Sequence, residues 1–184
     1  MEFEQVYRDG RIPWDIGEPQ PALAELVGWC VGDVLDAGCG TGELALAVAA
    51  RGHRVLGVDA APSAIAMATR KAGGLSATFR TADITALDGT FDTVLDSGLL
   101  HCLSPSDQDR YLAVLGRICR DRVAILCFAD RPGAQTPGGM GLTETRLRDL
   151  FADWIIDELV PVDIFGVIDG VRTPMDGWRL RARR

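Results

Sequence analysis

Three glycines at alternate positions, Gly38, Gly40 and Gly42, lie in the run Val34-Leu35-Asp36-Ala37-Gly38-Cys39-Gly40-Thr41-Gly42. The residues before them, from Val31 to Leu35, read as a short buried strand, and Glu43 to Ala50 reads as an apolar helical run. Such a strand, turn and helix start form a cradle, because glycine lacks a Cβ and lets a ligand lie against the main chain. The helix start adds free N–H groups and positive dipole potential for an anionic group. Acids recur at the tips of three extended runs: Asp36, Asp59 closing Val55-Leu56-Gly57-Val58-Asp59, and Asp83 in Thr81-Ala82-Asp83-Ile84. Asp59 lies about 20 residues past the turn, a separation at which a carboxylate can take two hydrogen bonds from a ribose diol. His101, in Ser97-Gly98-Leu99-Leu100-His101-Cys102-Leu103, is the imidazole expected near this set. An unperturbed pKa of about 6.5 suits it to removing a proton. Cys39 and Cys102 have no adjacent base and are assigned to packing. His53 opens a strand on the opposite rim and is assigned a structural role.

The elements that position these residues alternate. Strands are expected at Val31–Asp36, Arg54–Asp59, Thr78–Thr81, Phe91–Asp96, Val123–Ala129, Trp154–Val160 and Trp178–Arg183. Helices are expected at Ala22–Trp29, Gly42–Arg51, Ala64–Ala72 with Ser63 as N-cap, Asp107–Cys119 with Ser106 as N-cap, and Glu144–Phe151 with Thr143 as N-cap. Met1 to Pro21, broken by prolines and glycine around Trp14, reads as irregular, as do the Gly- and Pro-rich stretch Gly133 to Gly141 and the connection Pro161 to Gly177. Alternation of this kind implies an α/β fold, an open and mostly parallel seven-stranded sheet with helices on both faces. Ligands of such sheets bind outside the carboxyl ends of the strands, at the switch point beside the first strand. No internal repeat or linker interrupts the chain, so residues 1–184 are expected to form one domain.

A net charge of −7 argues against a nucleic-acid surface, which needs clustered Lys and Arg. The exception, Trp178-Arg179-Leu180-Arg181-Ala182-Arg183, suits a strand at a sheet edge, where charge deters pairing. Five scattered cysteines without a C-x-x-C pair give a reduced pattern, with neither a disulfide framework nor a zinc site. With no apolar leader or membrane-spanning run, a cytoplasmic protein is expected, with no membrane partner. The oligomeric state is open.

The glycine spacing narrows the cofactor. Dinucleotide turns read G-x-G-x-x-G; this one reads Asp-Ala-Gly-Cys-Gly-Thr-Gly, and resembles the first motif of class I methyltransferases dependent on S-adenosylmethionine (SAM). The resemblance implies a Rossmann-like fold whose seventh strand runs antiparallel, with SAM as cofactor and S-adenosylhomocysteine as product. Gly38, Cys39, Gly40 and Gly42 then shape the turn, and Asp36 helps hold the positive methionyl end or fixes the turn by bonding nearby N–H groups. Asp59, followed by Ala60, takes the ribose. The resemblance gives Asp83 the adenine amino group and Ile84 the ring face, and Ser97 begins the loop that faces the methyl group.

Around Pro13-Trp14-Asp15-Ile16-Gly17-Glu18-Pro19-Gln20-Pro21, Ser97–Leu103 and Leu126-Cys127-Phe128-Ala129-Asp130 the chain is similar to small-molecule methyltransferases of the thiopurine and tellurite-resistance type. It is most similar to the bacterial group acting on quinone-like, phenolic and N-heterocyclic toxins. In that group a Trp-containing N-terminal segment, here within residues 1–30, folds over the cofactor as a lid. Trp14 could bring its ring face near the sulfonium or could anchor the arm to the core. Leu99, Leu100, Phe128 and Met140 are expected to line a flat apolar acceptor pocket, with Ile164, Phe165 and Met175 closing it. His101 is a base for acceptors that need one; an already ionised acceptor would leave it a structural part.

Arg120-Asp121-Arg122 stands where the group usually has Pro-Gly-Gly, on the far rim. The signatures of amide-, adenine- and cytosine-methylating enzymes are absent, as is a metal-dependent catechol signature, so no metal is expected. A nicotinamide-dependent oxidoreductase is disfavoured by glycine spacing and by the lack of a Tyr-x-x-x-Lys pair. A SAM-binding module without catalysis conflicts with no residue.

Overall fold

The computed structural model describes residues 3–136 and 140–184; of the expected loop Gly133 to Gly141, positions 137–139 lie outside the described residues. Seven strands form one sheet in the order β3-β2-β1-β4-β5-β7-β6. They are β1 (Val34–Ala37), β2 (Val55–Asp59), β3 (Ala77–Thr81), β4 (Phe91–Ser97), β5 (Cys119–Phe128), β6 (Ile155–Ile168) and β7 (Val171–Arg183). Strands β1 to β5 are mutually parallel, and β7 runs antiparallel between β5 and β6. The order reverses between β1 and β4, which opens a crevice at their carboxyl ends.

Apolar residues on the two sheet faces bury separate helices. One core gathers Leu35, Val58, Val94, Val123 and Ile125 with Tyr111, Leu115 and Ile118 of α5 (Pro105–Ile118) and Leu147 of α6 (Glu144–Leu150). The other gathers Val34, Val55, Leu95 and Leu126 with Leu23 of α2 (Pro21–Ala24) and Leu44, Ala45 and Val48 of α3 (Glu43–Ala49). The inner strands are apolar toward both cores, as expected of parallel strands covered on both faces.

Helix starts differ from the sequence expectation in informative ways. Helix α4 (Pro62–Lys71) starts at Pro62, so Ser63 lies inside it and Ala61 holds the N-cap position. Proline at the first helical position needs no N–H partner. The Ser63 N–H is instead capped from outside by Glu4 Oε2 at 3.0 Å, and Ser63 Oγ donates to Glu4 Oε1 at 2.7 Å. Glu4 belongs to α1 (Phe3–Asp9), a helix inside the stretch expected to be irregular. Ser104 rather than Ser106 caps α5, again with proline at the first position. Thr143 does cap α6, accepting the Arg146 N–H at 3.0 Å.

The largest departure is the hairpin. The expected connection Pro161 to Gly177 is paired strand, with Ile155–Ile168 laid along Val171–Arg183 and only Asp169-Gly170 between them. Both turn residues have positive φ, 51° and 77°, the backbone of a two-residue hairpin turn that Asp-Gly favours. Pro161 is tolerated because β6 is the edge strand, and Pro174 because β5 pairing ends at Phe128–Gly177, leaving β7 one neighbour beyond it. The arginine-bearing strand β7 is therefore interior, not an edge. Arg179 pairs with Glu158 and Glu25 and donates to the Ala22 carbonyl, which fastens α2 to the sheet; Arg181 and Arg183 pair with Glu158 and Asp157.

Gly42 sets the spacing between α3 and α4. Its φ is +90°, and a Cβ there would meet Ala68 Cβ at 2.9 Å and the Phe79 ring at 3.0 Å. Left-handed strain and overpacking should together cost Gly42→Ala about 2–4 kcal/mol. Urea unfolding of the apo protein measures this, and a variant as stable as wild type would contradict it.

Candidate functional site

A cavity of about 480 Å³ opens at the switch point. Its floor is the turn after β1, where Gly38 and Gly40 take φ of 69° and 51°, angles that cost an L side chain strain. A Cβ on Gly40 would also stand 2.9 Å from the Tyr7 hydroxyl and intrude on the cavity wall. Asp36, Gly38, Cys39, Gly40, Asp59, Ala60, Asp83, Ile84 and Ser97 all line this cavity. Gly42 does not; it is a packing glycine, and its expected place in the cradle is corrected accordingly.

Asp36 is fully buried, with Oδ2 accepting the Ala45 N–H at 3.0 Å and Oδ1 having no partner among the described residues. An orphaned carboxylate oxygen at a cavity wall is expensive unless a donor or cation fills it. Burial pushes the Asp36 carboxyl up to about 7, against the Ala45 N–H that lowers it; Asp96 and Asp59 raise it further. Asp59 Oδ2 accepts the Gly40 N–H and Oδ1 the Ala61 N–H, each at 2.9 Å, so one carboxylate joins the glycine turn to the start of α4. Asp83 both lines the cavity and caps a short 3-10 turn, accepting from the Thr85 N–H and hydroxyl at 2.8 Å.

The N-terminal arm forms the facing wall. Trp14 lines the cavity and also anchors the arm: its Nε1 donates to the Tyr7 hydroxyl at 3.2 Å, and its ring meets Phe3 and Tyr7 edge-on. Asp15 Oδ2 accepts from Thr41 Oγ1 at 2.8 Å, tying the arm to the glycine turn. The Val167 N–H donates to the Pro13 carbonyl at 2.6 Å, and Gln20 exchanges two hydrogen bonds with Phe165 of β6. Tyr7, Asp15, Gln20 and Thr41 were not read from the sequence as site residues. Their signal was the missed α1 and the missed length of β6, which together bring the arm onto the sheet.

On the acceptor side, Leu99, Phe128, Met140, Ile164 and Met175 line the cavity, while Phe165 does not and lies under Arg172. Leu100 is fully buried in the core beneath and is removed from the lining set. Asp96 holds this loop, its carboxylate accepting from the N–H groups of Gly98, Leu99 and Leu100 at 3.1, 2.7 and 3.2 Å. His101 lines the cavity but is only 9% exposed, with Nδ1 accepting the Phe128 N–H at 3.2 Å. Burial lowers its pKa to about 4. Burial also pushes the Cys39 thiol up and the Cys102 thiol up to about 11, which agrees with packing. His53 Nδ1 donates to the Gly32 carbonyl at 3.1 Å, away from the cavity.

Among the described residues the cavity wall carries the acids Asp15, Glu18, Asp36, Glu43, Asp59 and Asp83 and no Lys or Arg. A cationic ligand suits that wall. SAM fits it: an ammonium or sulfonium supplies what the Asp36 oxygen lacks, and the acids at successive strand tips offer acceptors to a nucleoside.

A methyltransferase-domain family model matches residues 34–122. The chain is 33% identical to a 2-heptyl-1-hydroxyquinolin-4(1H)-one methyltransferase of Mycobacteroides abscessus, over 99% of this chain and 96% of the relative. A structure solved in work on conversion of a disulfide bond into a thioacetal group during echinomycin biosynthesis aligns with TM-score 0.88 and 36% identity, covering 99% of this chain and 90% of the other. The Burkholderia thailandensis 1,6-didemethyltoxoflavin-N1-methyltransferase, solved with its substrate and S-adenosylhomocysteine, aligns with TM-score 0.74 and 25% identity, covering 100% and 85%.

Proposed function

Because this chain belongs to the class I SAM-dependent methyltransferases, we propose that it transfers the methyl group of SAM to an oxygen, nitrogen or sulfur atom of a small, flat, aromatic or heterocyclic molecule. The observation that carries this reading is one cavity with an acidic, cation-suited half and an apolar half walled by Leu99, Phe128, Met140 and Ile164. Two of the relatives named above are methyltransferases of a hydroxyquinolinone and of a didemethyltoxoflavin, and the third was solved in work on thioacetal formation during echinomycin biosynthesis. Bound SAM supplies an activated methyl on a sulfonium. Asp36 faces the cationic end, Asp59 the ribose, and Asp83 with Ile84 the adenine. Leu99 and Phe128 hold the acceptor flat, and exclude water so that the nucleophile meets the methyl carbon in line. Residues 3–30 act as the lid, with Trp14 and the Asp15–Thr41 bond closing it over the cofactor.

Product mass after incubation with SAM and a panel of phenols, hydroxyquinolines, thiols and halides tests this reading. Methylation of aromatic or heterocyclic members supports it, and tight SAM binding with no methylated product favours a binding module.

Affinity should also depend on pH. In the apo protein Asp36 is protonated below about 7, held so chiefly by burial and by Asp96 and Asp59. A cation beside it favours the ionised form, so binding releases a proton and SAM affinity rises with pH toward about 7, then levels. Calorimetric Kd values across that range measure the slope, and a Kd independent of pH would contradict the Asp36 role.

A further inference from the structure

We propose that His101 serves methyl transfer as a fixed hydrogen-bond donor through Nε2–H, and that the acceptor therefore arrives with its nucleophilic atom already ionised. This deepens the methyl-transfer reading above and rests on it for the acceptor. The geometry starts from the backbone: the Phe128 N–H points at Nδ1, so the Nδ1 lone pair is occupied. A neutral imidazole has one N–H and one lone pair, which leaves the proton on Nε2. The ring lines the cavity, and Nε2 has no protein partner among the described residues. What His101 shows the acceptor is an N–H, not a lone pair.

Taking up a second proton is opposed from every side. Protonated Nδ1 would set one N–H against another at Phe128. The ring is buried and tilted against the Phe128 ring at 4.4 Å, and burial alone accounts for its lowered pKa. The surrounding titratable groups are engaged: Asp96 by three backbone N–H groups, and Cys102 by the Gly98 carbonyl at 3.2 Å. Cys127 of β5 is fully buried and kept as a thiol. None stabilises an imidazolium as the carboxylate of a base-orienting pair does.

The transfer then balances without an enzyme base. The acceptor loses its proton to solvent before binding. Its lone pair forms a bond to the methyl carbon, the carbon–sulfur bond breaks, and that electron pair neutralises the sulfonium to a thioether. The acceptor's negative charge disappears in the same step. Until then it is balanced by the sulfonium with Nε2–H beside it, since the wall lacks Lys and Arg among the described residues. Acidic phenols, N-hydroxy or hydroxy heterocycles and thiols meet that requirement. Polyanions and unactivated alcohols do not.

Nitrogen-15 long-range correlation spectra test the donor directly, because the chain has only two histidines and His53→Gln assigns the other. The expected spectrum shows Nε2 protonated and Nδ1 bare from about pH 5 to 9; an Nδ1–H tautomer or an imidazolium in that range overturns the proposal. In turnover with phenols and hydroxyquinolines of graded acidity, the acid limb of kcat/KM should move with each acceptor's own pKa. A limb fixed at one pH for all acceptors overturns it. His101→Ala should lower kcat/KM about 10- to 100-fold with the limb unmoved and SAM affinity unchanged, as for loss of one bond to a charged group. His101→Gln, which retains a donor, should recover part of the loss; no loss in the alanine variant, or no recovery, counts against the donor. If no acceptor is methylated while SAM binds, the methyl-transfer reading and the acceptor class fall together, and the spectrum still decides the tautomer.

Discussion

Replacing Asp59 with alanine should weaken SAM binding by about 100-fold or more, the largest loss of cofactor affinity expected from a single side chain here. Two hydrogen bonds from a ribose diol to an ionised carboxylate are together worth about 3 kcal/mol or more, and 1.4 kcal/mol is tenfold in Kd. The same carboxylate accepts the Gly40 and Ala61 N–H groups, so its removal also loosens the turn beneath the cofactor. Asp59→Asn keeps the shape and one oxygen and should fall between wild type and alanine. Calorimetry gives the Kd, and thermal unfolding of the apo variants separates lost contacts from lost structure. Unchanged affinity in both variants would remove Asp59 from the cofactor.

The largest loss of stability should come from Asp96→Ala. Three backbone N–H groups converge on this one buried carboxylate, those of Gly98, Leu99 and Leu100. Each orphaned buried donor costs about 1–3 kcal/mol, so the variant should lose roughly 3 kcal/mol or more. Because this loop carries Leu99 and His101, turnover should fall as well. Urea unfolding measures the first effect, and a loss under about 1 kcal/mol would contradict the account.

Asp96 and Asp36 also set the pH dependence of stability. Burial raises both carboxyls to about 7 from an unfolded value of 3.8, so the folded state binds more protons than the unfolded state between those values. Apo stability should therefore fall as pH rises from about 4 to about 7, the reverse of a salt-bridged acid. Saturating SAM should offset part of that fall. Removing either acid should flatten the slope.

What was legible in the sequence, and what was not, follows from the range of each interaction. The glycine turn, Asp36, Asp59 and the parallel core could be read because local backbone demands and two-faced burial leave a mark in a few consecutive residues. Helix α1 could not, because its apolar Tyr7 and Phe3 pack on Ala61, Ala64 and Trp14 rather than on the main core. Its Glu4 caps a helix some sixty residues on, and no local pattern announces that. The hairpin does have a local signal in Asp169-Gly170, but Pro161, Gly166, Pro174 and Gly177 break the strand pattern on either side of it. The two prolines are admissible only because Pro161 lies on the edge strand and Pro174 beyond the end of β5, a property of strand order rather than of sequence. The two glycines answer to close packing, since a Cβ on Gly177 would meet Ile164 at 2.6 Å and one on Gly166 would meet Met175 at 2.8 Å. Likewise the arginines of β7 suited an edge until β6 was seen to cover it. His101 lines the cavity, but the group occupying Nδ1 comes from β5, so the sequence leaves base and structural roles open.

The central claim is that the cavity above β1 and β4 takes a sulfonium nucleoside, and a calorimetric titration of the intact chain with SAM, S-adenosylhomocysteine and NAD tests it most directly. The account predicts one-to-one binding of the first two and none of the third. Binding of NAD with no response to either sulfur nucleoside would contradict it.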